Sequence, residues 1–200
     1  MKESIRLVVA LTVFCVVAAV LLAWTNAATK APIAKAGNEE KLSVLRKVLP
    51  GSDNDLLADA KRVTANSAEW VFYVGRRGGQ ITGVAFSSVS RQGYGGPIEV
   101  MVGMKQDGRV LAVEIAAAPA ETPGLGTKVK EEKFVSQFTD RPSSDLAWAR
   151  VTKDGGAIQG VTGATVSSRA VVDAVRKGME VFAAHRQEIL GPAASAAAKE

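Results

Sequence analysis

Residues 7–24, LVVALTVFCVVAAVLLAW, hold 18 consecutive residues in which Thr12 is the sole polar side chain. As a helix at about 1.5 Å per residue the stretch is ~27 Å long, close to the hydrocarbon thickness of a bilayer. Lys2 and Arg6 precede it, and Trp24 stands where an interfacial aromatic sits. The expectation is an N-terminal membrane anchor over residues 1–28. A cleaved signal peptide is the competing reading, because Asn26, Ala27 and Ala28 are small residues beyond the apolar run. The run is longer than an ordinary signal core, which favours retention. Lys30, Lys35 and Lys41 follow the segment, so the basic residues alone do not orient it. The short N-terminal tail favours a soluble part on the extracytoplasmic side of the inner membrane.

The remaining chain is long enough for one sizeable domain. Its punctuation divides it into a linker over 29–37, a domain over 38–192 and a flexible tail over 193–200. The helical expectation over 38–50 rests on Asn38 as a cap, Glu39 and Glu40 in the first turn, and a stop at Pro50-Gly51. Three later stretches have strand, turn and strand character: 70–86 around Gly78-Gly79, 98–115 around Asp107-Gly108, and 148–161 around Asp154-Gly155-Gly156. A helix is expected over 128–138. A longer one is expected over 165–190, where Val171, Ala174, Val175, Gly178, Met179 and Phe182 recur at helical spacing. The fold class is therefore α+β, an antiparallel sheet with covering helices behind one transmembrane helix.

Several functions are excluded early. The net charge is +5, but the basic residues are scattered, so no nucleic-acid surface is expected. Cys15, the single cysteine, lies inside the apolar segment, which removes any intrachain disulfide and any cysteine-based metal or iron–sulfur site. His185 is the only histidine, and no Ser/His/Asp set can be built with it. Asp53, Asp55 and Asp59 are expected on a solvated face and Trp70 and Trp148 in the core.

Three glycine-rich or hydroxyl-rich stretches remain: GYGGPI (93–98), AETPGLGTKV (120–129) and GVTGATVSS (160–168). A turn that enters a helix leaves backbone N–H groups unpaired beside the positive end of the helix dipole, and so suits an anion. Gly124-Leu125-Gly126 is either a tight turn or a close backbone approach to a ligand, and Thr162 to Ser168 either a helix cap or an anion site. Neither the Walker phosphate loop nor the dinucleotide fingerprint is present.

In this order and at these distances, GYGGPIEVMVGM, the DGRV turn, ETPGLGTKV and TGATVSS resemble the FMN-binding domain found in the G subunit of Rnf-type electron-transport complexes. The C subunit of sodium-pumping NADH:quinone reductases is similar in plan. The resemblance covers most of the chain. It implies a covalent flavin: a flavin transferase joins FMN through its phosphate to the last threonine of the TGAT element, Thr165. It further implies that Glu121, Thr122, Gly124, Leu125 and Gly126 line the flavin, that Lys128 meets the phosphate, and that Thr162, Gly163, Ala164 and Ser167 complete the site. The implied role is electron relay within an ion-translocating ferredoxin:NAD oxidoreductase, among the other subunits of an Rnf-type membrane complex. A module that holds FMN or another phosphate ligand reversibly is the alternative. The sequence departs from the family pattern at Pro119, where histidine is common, and at Gln159, where aspartate is common.

Overall fold

The structure is a computed structural model describing residues 2–65 and 67–191. Met1–Lys41 and Leu42–Glu200 are two separate compact units. The expected tail over 193–200, and the end of the expected domain at Pro192, lie outside the described residues.

Helix α1 spans Lys2–Val48. By length and composition it is long and apolar enough to cross a membrane. Large side chains such as Leu7, Phe14, Leu22 and Trp24 are exposed, as a lipid-facing helix requires. The expected linker over 29–37 is helical instead, and Pro32 lies inside the helix. Proline there removes one donor and crowds the preceding turn, which is why the sequence suggests an interruption. Asn38 is consequently interior to the helix and caps nothing. The expected stop at Pro50-Gly51 agrees with the observed end at Val48.

In the second unit, five strands form one antiparallel meander: β1 Ala60–Ala65, β2 Ala68–Arg77, β3 Gln80–Ser90, β4 Ile98–Met104 and β5 Val110–Ala117, in sheet order β1-β2-β3-β4-β5. The first two expected hairpins are β2–β3 and β4–β5. Between β2 and β3, Gly78 and Gly79 have φ of 57° and 82°, the left-handed pair that a two-residue turn needs to match strand twist. Strand β1 is not evident from the sequence. Its alternation is masked by the polar run before it, and it pairs with β2 from Ala60 opposite Tyr73 to Ala65 opposite Ala68.

Side-chain alternation gives the sheet two apolar faces. Phe72, Val84, Phe86, Val102 and Met104 pack on one side with Ala170, Val171, Val175, Met179 and Phe182 of α3, the helix Thr165–Leu190. Phe134, Phe138 and Trp148 extend that core. Tyr73, Ala85 and Met101 on the opposite face meet Val44, Leu45, Val48 and Leu49. Helix α3 has the bounds expected of it. The helix expected over 128–138 is broken into a 3-10 turn at Gly126–Lys130, one turn α2 at Glu132–Val135 and a further 3-10 turn at Ser136–Phe138. Burial of Val129, Phe134 and Phe138 at irregular spacing outweighs local helical preference there. The third expected hairpin is also corrected. Residues 148–161 form a knot of turns with a 3-10 turn at Thr152–Asp154, and Val151 bridges Ile158 in parallel, not antiparallel, sense.

The acidic residues between α1 and β1 are tethers. Asp55 Oδ1 accepts from the Leu57 and Ala58 N–H groups, Asp53 Oδ2 from Gly78 N, and Asp59 Oδ2 from Arg76 Nε at 2.6 Å.

Candidate functional site

The three stretches singled out in the sequence meet at the N-terminal end of α3. Gly95 packs so tightly that a Cβ there would lie 1.7 Å from the Ala120 carbonyl oxygen, which locks the 93–96 loop against the 120–126 loop. Glu121 fastens both to the helix. Its side chain is buried; Oε1 accepts from the Tyr94 N–H at 2.9 Å and Oε2 from Ser167 Oγ at 2.6 Å. A Cβ on Gly126 would meet Glu121 Oε2 at 2.2 Å, so only glycine lets the chain pass this carboxylate.

The 120–127 segment curls on itself. The Leu125 and Thr127 N–H groups donate to the Thr122 carbonyl, and Gly124 N donates to Thr127 Oγ1 at 2.9 Å. Gly124 has φ of 73°, and Leu125 is left 43% exposed at the tip. Opposite stands Gly163, with φ of 80°; a Cβ there would lie 2.8 Å from Leu125 Cδ1. The backbone of the TGAT turn therefore lies directly against the Leu125 side chain.

Helix α3 begins at Thr165 with Ala164 as its N-cap residue, and no side chain among the described residues caps it. The hydroxyl-rich turn is thus not the helix cap that the sequence offers as one reading. Ser168 Oγ turns inward, accepting from Val161 N and donating to the Ala164 carbonyl, both at 2.9 Å. Ser167 is engaged by Glu121. The Thr165 hydroxyl, half-buried, has no hydrogen-bond partner among the described residues. The Ser168 N–H makes the first intrahelical bond, to Ala164, so the N–H groups of the opening turn have no intrahelical acceptor.

A cavity of about 550 Å³ opens here, lined by Thr165 with Tyr94, Leu125, Lys153, Gly163 and Val166. Glu121, Thr122, Gly126, Ala164 and Ser167 complete its wall. Of the residues expected in the site, Lys128 and Thr162 line a different cleft, of about 370 Å³, with Phe134, Gln137 and Gln159. There Gln159 is paired in both directions with Gln137: its N–H donates to Gln137 Oε1 at 2.7 Å, and its carbonyl accepts from Gln137 Nε2 at 3.1 Å. Gly124 lines neither cavity. Tyr94, Lys153 and Val166 are additions that the sequence does not point to. The first two sit in stretches whose glycines draw attention as turns, and a one-dimensional pattern carries no sign of which side chain beside a turn faces a cavity.

The loop carrying Lys153 is held from two sides. Thr152 N donates to the Ile158 carbonyl, and Gly156 N to that of Val151. Asp154 accepts a two-pronged ion pair from Arg169 of α3, Nε to Oδ2 at 2.7 Å and Nη2 to Oδ1 at 2.6 Å. The Arg169 hydrogen bonds hold the Asp154 carboxyl below its usual range. No cluster of three or more metal-ligating side chains occurs among the described residues.

Residues 93–180 match the family model of the FMN-binding domain. Over 190 residues the chain is 36% identical to the G subunit of the ion-translocating oxidoreductase complex of Cereibacter sphaeroides (strain ATCC 17029 / ATH 2.4.9), covering 91% of this chain and 85% of that protein. The corresponding figures for the G subunit of Vibrio vulnificus (strain YJ016) are 35%, 90% and 90%. Among solved structures, NqrC of Shewanella oneidensis is similar in fold, with a TM-score of 0.51 and 19% identity, covering 68% of this chain and 74% of that one.

Proposed function

This chain belongs to the family of G subunits of ion-translocating oxidoreductase complexes, and from that premise we propose that it is a membrane-anchored flavoprotein carrying FMN esterified to Thr165. One observation carries the reading. The unpartnered Thr165 hydroxyl lies in the uncapped first turn of α3, on the wall of a cavity ample for a flat aromatic ligand.

The residues present fit the group. A phosphodiester keeps one negative charge, and the free N–H groups at the start of α3 favour an anion by about 0.3–1 kcal/mol. Gly163 removes side-chain bulk beside the ester. Leu125 offers an apolar surface to a ring, and Tyr94 a second, exposed one. Glu121 acts one layer out, holding the three loops in register; it lines the cavity, but its two oxygens are committed to Tyr94 and Ser167.

Attachment forms one O–P bond at Thr165 Oγ1. The bond broken is the phosphoanhydride P–O bond of a flavin dinucleotide donor held by a flavin transferase; the departing nucleotide phosphate takes the electron pair, and the hydroxyl proton passes to solvent. FMN, when bound, accepts and passes electrons, and the protein supplies its position and electrostatic surroundings. Covalent attachment keeps the cofactor from being lost on the extracytoplasmic side, where we place the domain, with α1 as a single anchor in the inner membrane. The chain then relays electrons among the other subunits of an Rnf-type complex.

The test uses the full chain produced with an active flavin transferase. Denaturing electrophoresis viewed under ultraviolet light is expected to give a fluorescent band in the wild type and none in Thr165→Ala. Intact mass is expected to rise by one esterified FMN. A wild-type chain of unmodified mass that still releases free FMN on denaturation supports the reversible module instead. A reporter active only outside the cytoplasm, fused to the C-terminus, checks the orientation.

A further inference from the structure

We infer that Lys153, rather than Lys128, is the side chain that pairs with the phosphate at Thr165, and that the Asp154–Arg169 ion pair is the device that positions it. The inference rests on the proposed flavin ester.

Lys128, at the foot of the 120–127 loop, lines the neighbouring cleft with Thr162 and Gln159 and is absent from the wall that includes Thr165. Among the described residues, Lys153 is the only cationic side chain on that wall, and Glu121 the only anionic one. A phosphodiester there adds a second negative charge to a cavity already holding a carboxylate. Helix N–H groups and one ammonium are what the site has to balance the two. Lys153 forms no salt bridge or hydrogen bond of its own among the described residues, so its three donors are uncommitted.

Its placement is not left to a flexible side chain alone. The adjacent Asp154 is clamped to Arg169, one turn into the helix whose first residue is Thr165. The parallel bridge of Val151 with Ile158 fixes the base of the same loop. A Cβ on Gly156 would lie 2.1 Å from the Arg150 carbonyl oxygen, so the loop closes tightly behind the clamp. Lys153 thus sits on a short turn tied at both ends, one tie being the helix that presents the ester.

Lysine reactivity toward acetic anhydride tests this in the full chain in detergent, with labelling read peptide by peptide. Between flavinylated wild type and unmodified Thr165→Ala, Lys153 is expected to react several-fold more slowly in the flavinylated protein. Lys128 is expected to react equally in both. The phosphorus resonance of the flavinylated protein is expected to move in Lys153→Gln, to return towards its wild-type position in Lys153→Arg, and to stay in place in Lys128→Gln. Asp154→Asn is expected to restore part of the Lys153 reactivity. Flavinylated wild type with unchanged Lys153 reactivity, or protection at Lys128 instead, overturns the assignment while leaving the ester intact. A wild-type chain with no flavin adduct by intact mass overturns the ester and this assignment together.

Discussion

Ser167 Oγ donates to Glu121 Oε2 at 2.6 Å across 46 residues of sequence, and both side chains are buried. The bond joins the ETPGLG loop to the first turn of α3, while the second oxygen of the same carboxylate holds the GYGG loop through Tyr94. Glu121→Ala strands the buried Ser167 hydroxyl and the part-buried Tyr94 N–H. Hydrogen bonds to a charged group contribute about 1.5–3 kcal/mol each, so a loss within or above that range is expected in urea denaturation. Glu121→Gln costs less, because the Ser167 hydroxyl can rotate to accept from an amide while the amide oxygen still serves Tyr94. Equal losses for the two variants would mean that the charge of the carboxylate, which both variants remove, secures the loops, and that an isosteric amide cannot replace it.

Gly178 reverses an ordinary expectation. In an exposed helix interior, Gly→Ala gains about 1 kcal/mol of helix propensity. Here a Cβ would lie 2.0 Å from Phe86 Cε2, and Phe86 is fully buried between Phe72 and Trp70, whose rings meet it edge-on. The ring has no room to yield, and overpacking of this kind costs about 1–3 kcal/mol. Gly178→Ala is therefore expected to lower the denaturation midpoint despite the better helix former. A raised midpoint would show that α3 can lift off β3 at little cost.

The same two sites show how much the sequence reveals. Helix α3 is legible to the residue, since its apolar stripe has one period and a single partner surface. The β2–β3 and β4–β5 hairpins are legible because Gly78-Gly79 and Asp107-Gly108 state their turn geometry locally, whereas the β1–β2 pairing has no such signal. The Asp154-Gly155-Gly156 turn states the same thing and misleads: Gly155 does adopt φ of 82°, but the flanking residues are pulled into tertiary bonds to Trp148, Arg150 and Ile158. The site is legible as three loops, because each has its own composition. Its interior is not. The sequence points to Lys128 and not to Lys153, and only the fold, by placing one on each of two cavities, brings Lys153 to the wall that includes Thr165.

Leu125 tests the proposed ring position. It is 43% exposed, so exchanging it for a polar residue removes little buried surface, and Leu125→Asp is expected to change stability by no more than about 0.5 kcal/mol. A new negative charge beside the flavin disfavours the arrival of an electron. The midpoint potential of the flavinylated variant is expected to fall by on the order of tens of millivolts, less at high salt. Leu125→Asn, neutral and close in size to aspartate, is expected to shift it much less. Potentiometric titration of the two variants beside wild type decides, and identical potentials for all three would move the ring away from this loop.

The Asp154–Arg169 pair fixes the sign of a pH effect. The Asp154 carboxyl is held below its ordinary value of 3.8 chiefly by hydrogen bonding from Arg169; desolvation opposes this, and the charges of Arg169, Arg150 and Lys153 add to it. A carboxyl depressed in the folded protein binds fewer protons there than in the unfolded chain. Its contribution to stability is therefore fully present above the unfolded value, near pH 4, and drains away as pH falls through the lower folded value. Asp154→Asn removes the charge at every pH. The stability gap between wild type and this variant is thus expected to be constant from pH 7 to about 5 and to close below 4. Both groups are solvent-exposed, so added salt is expected to shrink the gap at neutral pH. Urea denaturation at pH 7, 5 and 3, in low and high salt, measures all of this. A gap that persists at pH 3 would mean that the Asp154 side chain acts through neutral hydrogen bonding to the turn, and that the clamp on the Lys153 loop is not electrostatic.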